Sequence, residues 1–184
     1  MPGPPGRPGR RARRRADARA PRAARPRAAG SAPLVLPEPP IPTAQYVQAV
    51  AAGSFLFVSG HDPEIAGRLA YRGRVGRSLS GSEAAAAVRL ATLNALASAR
   101  AAVGSWRRVR RAVVLTCFVD AVPGALDPGI TREAVALVAE CLGPARPPVV
   151  WLRPAHSLAG GMPVEVELLL ELVTPRRRQT CRQT

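Results

Sequence analysis

Near the end of the 184-residue sequence, Glu165, Glu167 and Glu171 fall on one face if the segment 164–173 is extended, because side chains at even spacing in a strand share a side. A carboxylate can position a water when hydrogen-bond geometry allows. Three side by side also repel, so they need solvent, cations or another subunit. His61 and His156 would make an acid–base pair for RNA cleavage, yet they lie about 95 residues apart and nothing in the sequence brings them together. Cys117, Cys141 and Cys181 are odd in number and widely spaced, which indicates neither a disulfide framework nor a zinc knuckle and suits a reducing cytoplasm. No phosphate-binding Gly-rich loop, dinucleotide fingerprint or His-rich metal motif is present.

Arginine is the other chemically capable residue type, since its planar fork forms two parallel hydrogen bonds to a carboxylate. The sequence has no lysine, and Arg, Ala, Gly and Pro are so abundant that a single Arg carries little information. The formal charge of +15 suggests a nucleic-acid or membrane partner until its distribution is examined. The first 33 residues hold ten Arg against Asp17, and Arg176, Arg177, Arg178 and Arg182 follow at the end. Between Leu34 and Val173 thirteen basic residues face eleven acidic ones, so the excess belongs to the tails.

These features predict an Arg/Pro/Ala-rich disordered tail over 1–36, one domain over 37–173 and a basic tail over 174–184. The first tail lacks the apolar stretch of a secretory signal. Its Pro content opposes the amphipathic helix of a transit peptide, and it is expected to give at most weak, salt-dependent nucleic-acid contact. No stretch approaches the roughly 20 apolar residues of a membrane helix, so a cytoplasmic protein without a membrane partner is expected.

The elements that must position the candidate groups follow from periodicity. Tyr46–Val50 and Phe55–Val58 read as short strands around a turn at Ala52-Gly53, and the second ends at Ser59-Gly60. A weaker strand is expected over Leu69–Val75. Ser80 and Glu83 have capping-box spacing, which predicts a helix from Ser82 to Val103, with Leu90, Leu93, Leu96 and Ala97 on its broad apolar side and Gly104 ending it. Val109–Val119 is apolar on both faces and reads as a central, covered strand. Thr131–Leu142 predicts a second helix stopped by Gly143-Pro144. Pro148–Leu152 and Val164–Val173 are the closing strands. Helices gathered on one side of a mixed sheet define an α+β domain, and a sheet face left bare is buried by association.

Several strings, in order, resemble one family. Tyr46-Val47-Gln48-Ala49-Val50, then Phe57-Val58-Ser59-Gly60 with Pro63 close behind, resemble the amino-terminal signature of RidA proteins, also called the YjgF/YER057c/UK114 or endoribonuclease L-PSP family. Cys117-Phe118-Val119-Asp120 resembles the family's middle. Pro144-Ala145-Arg146 and Pro163-Val164-Glu165-Val166-Glu167 resemble its carboxy-terminal signature, so the likeness runs from Ile41 to Val173.

The resemblance implies a chorismate-mutase-like mixed sheet with two helices on one face, assembled as a homotrimer with ligand clefts between subunits. It also implies hydrolysis of small enamines and imines, such as 2-aminoacrylate, to keto acid and ammonia, with no metal or bound cofactor. Arg146 then occupies the place of the carboxylate-binding Arg, with Pro144 and Pro147 restricting its backbone, and Arg153 is its rival. Glu167 matches the acid that positions water, Ser59 and Gly60 the bend lining the cleft, and Tyr46 an aromatic that closes over substrate. Two departures stand out: Pro148 replaces the Cys found two positions after the Arg in active members, and an Asn expected after the Phe-Val-Asp string is missing. They motivate an alternative, a non-catalytic trimer that binds small carboxylates and regulates a neighbour. Endoribonuclease action ranks below both.

Overall fold

A computed structural model describes residues 34–42, 44–143 and 147–173. Its strands are β1 (Ala49–Ala52), β2 (Phe55–His61), β3 (Glu64–Ile65), β4 (Arg68–Leu69), β5 (Val109–Asp120), β6 (Val149–Ala155) and β7 (Val164–Leu172), and its helices are α1 (Gly81–Val103) and α2 (Arg132–Leu142). Five strands form one sheet in the order β1-β2-β7-β5-β6, while β3 and β4 make a separate short hairpin. All neighbours in the large sheet are antiparallel except β5 and β6, which run parallel because α2 lies in the crossover between them. The expected α+β class and mixed sheet are present.

Alternation explains the layering. Leu56 and Val58 of β2, Leu115, Cys117 and Val119 of β5, and Val164, Val166, Leu168 and Leu170 of β7 are all buried in one core with both helices. The helix α1 meets this core chiefly through Ala84, Ala87, Val88, Ala91, Ala95, Leu96 and Ala99. Leu90 and Leu93 are only half-buried, so the apolar side is rotated from the one expected: small alanines let the helix backbone lie close to the sheet, and the leucines flank the contact. The capping box at Ser80 and Glu83 forms in full, and Gly104 ends the helix at φ 67°.

Three boundaries differ from expectation. The first strand starts at Ala49, because Tyr46 sits in a turn whose N–H donates to the Ala44 carbonyl at 2.9 Å. Leu69–Val75 is not a continuous strand; its ends serve the β3–β4 hairpin and an isolated bridge at Val75. Around that bridge, the Val75 N–H donates to the Asp120 carbonyl at 2.9 Å and Arg74 Nε pairs with Asp120 Oδ1 at 2.8 Å, tying the loop before α1 to the end of β5. Leu34 and Leu36 pack against the core, so the packed chain reaches back beyond the expected start at residue 37.

Among the described residues no helix lies on the opposite face of the sheet. Exposed upon it are Val50 (51%), Phe57 (48%) and Trp151 (46%), so the described residues cover β5 on one face and not on both as expected. Among the described residues no helix is long and apolar enough to cross a membrane.

Candidate functional site

The candidate site is built on the open face around an irregularity in β2. Val58 faces Leu168 of β7, but the next paired residue, His61, faces Val166. Two residues, Ser59 and Gly60, therefore stand where regular pairing allows one, which is a β-bulge, a device that re-aims side chains. Ser59 directs its N–H (2.9 Å) and its Oγ hydroxyl (3.2 Å) to the Gln48 carbonyl, so both donors serve to hold the bend to β1.

The open side of Gly60 is occupied by a neighbour. A Cβ placed there would overlap the Glu165 carboxylate, and only glycine lets that carboxylate settle against the backbone. Glu165 is thus a site residue that sequence reasoning misses. It is visible as one of three carboxylates on a face, but nothing in the sequence distinguishes the one that meets the bend.

The structure separates those three carboxylates. Glu171 accepts from Arg111 Nε at 2.7 Å and Arg110 Nη1 at 3.0 Å, and the hydrogen bond from Arg111 above all holds its carboxyl below the usual range. Glu165 and Glu167 receive no such clamp. Burial pushes both upward; for Glu165 the charges of Glu167 and Asp62 add to the rise, whereas for Glu167 the Arg153 cation opposes it.

Cross-strand registry extends the site along two rows. Glu167 faces Thr116 of β5, which faces Trp151 of β6; one step along, Glu165 faces Phe118, which faces Arg153. The Arg153 guanidinium stacks 4.5 Å from the centroid of the Trp151 ring. A cavity of about 370 Å³ opens here, with Val47, Phe57, Ser59, Thr116, Trp151 and Glu167 in its walls.

Of the residues singled out from the sequence, Ser59, Gly60, Glu167 and Arg153 are therefore brought to one face. Tyr46 is 44% exposed beside Val47 at the lip. Arg146 lies outside the described residues.

The two histidines do not form a site. His61 is 4% exposed on the helix side of the sheet with both ring nitrogens engaged, and His156 is exposed beyond β6. Nor do the described cysteines offer a thiolate, since burial pushes Cys117 up to about 12 and Cys141 up to about 11. Among the described residues no group of three or more His, Cys, Asp or Glu could hold a metal ion. The open face instead combines two carboxyls whose affinity for a proton burial raises with a nearby guanidinium, which can hold an anion.

This sheet, with two helices on one face and a bulged second strand, is a YjgF/chorismate-mutase-like fold. Residues 26–163 match the profile of the family described as "YjgF/chorismate mutase-like, putative endoribonuclease", and the chain belongs to that family, the RidA family. A structure of a protein of unknown function from Agrobacterium tumefaciens is 31% identical, with a TM-score of 0.67, over 73% of this chain and 87% of that one. Another, from Shewanella oneidensis and given as a "putative endoribonuclease", is 30% identical, with a TM-score of 0.71, over 76% and 93%. Protein TCP17 of Trypanosoma cruzi is 36% identical over 90 residues, so the match spans 49% of this chain and only 56% of that relative.

Proposed function

We propose that this protein hydrolyses small enamines and imines derived from amino acids, releasing keto acid and ammonia. The observation that carries this reading is the pair Glu165 and Glu167, two carboxyls on one strand with burial-raised affinity for protons, beside the Ser59-Gly60 bend and across the sheet from Arg153. An imino acid presents an anionic carboxylate next to an electrophilic C=N carbon. Arg153, together with Arg146, supplies the guanidinium chemistry for the anion.

In the proposed reaction the oxygen of a water forms a bond to the imine carbon while Glu167 takes one of the water's protons. Arg153 keeps Glu167 nearer its ionised form than Glu165, which suits Glu167 to the base role. Glu165, whose hold on a proton is strengthened by burial and by the charges of Glu167 and Asp62, donates to the nitrogen. As the C–N bond of the resulting carbinolamine breaks, Glu167 gives its proton to the departing nitrogen and Glu165 takes the hydroxyl proton, leaving the keto acid, ammonia and both carboxyls as they began. An enamine enters the same path after protonation at carbon. No step calls on a metal or cofactor.

The bare face favours assembly as a homotrimer, in which other subunits cover Val50, Phe57 and Trp151 and turn the open cavity into an enclosed cleft. Exposed apolar patches of this kind commonly mark association surfaces. The engaged, buried His61 removes the basis for RNA cleavage by a histidine pair.

The test is to incubate the purified protein with freshly generated 2-aminoacrylate and with imines of larger amino acids while following ammonia release. Acceleration over buffer is expected, and rates equal to buffer for every imine would defeat the reading. Thermal stabilisation by small carboxylates without turnover would instead support the non-catalytic regulatory protein, located in the same cleft.

A further inference from the structure

Behind the Ser59-Gly60 bend runs a closed circuit of hydrogen bonds, buried where His61 meets Ser98 and part-buried elsewhere. His61 Nδ1 lies 2.7 Å from the Ser59 carbonyl, and Nε2 lies 2.7 Å from Ser98 Oγ on α1. Ser98 Oγ in turn lies 2.9 Å from Gln48 Oε1, so its single proton is shared between that oxygen and His61 Nε2, and the Gln48 carbonyl accepts the Ser59 N–H. Since a carbonyl only accepts, Nδ1 of His61 carries a proton. One helical turn before Ser98, Asn94 Nδ2 donates at 3.0 Å to the carbonyls of both Asp62 and Glu64. Asn94 and Ser98 are four residues apart, so they share a face and together hold the chain as it leaves the bend.

Elsewhere on its buried side α1 is mostly alanine, valine and leucine. A buried hydroxyl, carboxamide and imidazole are costly there unless each is satisfied, and removing one leaves its partners unpaired. Packing alone calls for none of the three. What they have in common is the segment 59–64, whose outward side is the seat of Glu165.

We propose that His61, Ser98 and Asn94 are positioning residues: from the helix side they fix the backbone bend that seats the Glu165 carboxylate, and Gln48 carries the same constraint to the cavity lip at Val47. None of them touches substrate. The kinetic consequence rests on the deaminase reading; the structural one does not.

The variants that test this are His61→Leu, which loses both arms of the imidazole, His61→Asn, whose amide can replace the Nδ1 donor, and Ser98→Ala. Each is measured by kcat and KM on 2-aminoacrylate and by a carbon-13 NMR titration of the Glu165 carboxyl, with folding monitored by circular dichroism. His61→Leu should lower kcat/KM by about ten- to a hundredfold, the scale of a small misplacement, and return the Glu165 titration toward that of an ordinary glutamate. Ser98→Ala should do the same to a smaller extent, and His61→Asn should recover most of both. If His61→Leu unfolds, Ser98→Ala and His61→Asn carry the comparison. Folded variants with wild-type kcat/KM and an unmoved Glu165 titration would overturn the proposal, as would a His61→Asn protein no better than His61→Leu. If the wild type turns over no imine, the deaminase reading fails and the Glu165 titration alone decides the positioning role.

Discussion

The Glu165 carboxylate fills the space that a side chain at Gly60 would need. The acid of the proposed reaction and a backbone bend on a different strand thereby meet in one place.

Gly60→Ala should accordingly displace Glu165. Only the flexible end of the Glu165 side chain has to give way, so the stability cost is expected to stay below about 1 kcal/mol, short of the usual overpacking range. Imine turnover should fall at least about tenfold, equivalent to ~1.4 kcal/mol of barrier. Thermal melts and ammonia release measure the two effects; a Gly60→Ala protein with full activity would show that the seat is dispensable.

Glu165→Gln and Glu167→Gln should each reduce turnover by about 10²–10⁴-fold, the span associated with general acid–base groups. Stability should respond differently. The folded protein binds a proton at Glu165 more tightly than the unfolded chain does. The carboxyl's contribution is therefore fully present below the unfolded value and is lost as pH rises through the folded one. Glu165→Gln escapes that loss, so its melting temperature relative to wild type should be higher at pH 7 than at pH 4. Melts at the two pH values, with equal salt, decide it.

Arg153→Met should raise KM for an imino acid by about ten- to a hundredfold, from a lost charge-assisted hydrogen bond of ~1.5–3 kcal/mol. It should also raise the Glu167 titration, because the Arg153 cation now opposes the upward push of burial. A substrate response in Arg146→Ala but not in Arg153→Met would assign the anion to Arg146 instead.

The proposed trimer, in which other subunits cover the open face, predicts that Trp151→Glu or Phe57→Asp breaks the assembly. Sedimentation should show a trimer for wild type and a monomer for either variant, with imine turnover falling alongside. A wild-type protein that sediments as a monomer would remove the intersubunit cleft.

The excess of basic charge in the tails, most of it before residue 34, makes a different prediction for nucleic acid. Any binding should weaken steeply as salt rises, through counterion release, and should vanish when residues 1–33 are deleted. Filter binding of full-length and truncated protein across a salt series measures both.

Much of the scaffold is legible in the sequence because its signals are local. The capping box at Ser80, the glycine stop at Gly104 and the alternation of Val164 to Leu172 each depend on residues within a few positions of one another. The family strings add the bend and the carboxylate row. The orientation of α1 escapes such reading because hydrophobicity favours leucine, whereas close packing on the sheet favours the alanine row. The role of Glu165 escapes it for a related reason: its partner Gly60 is over a hundred residues away, and their contact depends on strand registry. His61 follows Ser59-Gly60 directly in the sequence, yet the bulge turns its side chain to the helix layer, where it meets Ser98.

That bulge has an evolutionary corollary. Val58 and His61 both look inward although three positions part them, where an unbroken ladder would need two. Losing a single codon between them would mend the ladder and leave both residues in phase with the interior, so the architecture would survive the accident. What would disappear is the niche beneath Glu165. Descendants that shed this surplus residue should therefore keep the shape while giving up the proposed chemistry, and the length of one short corner becomes a marker to set beside measured turnover.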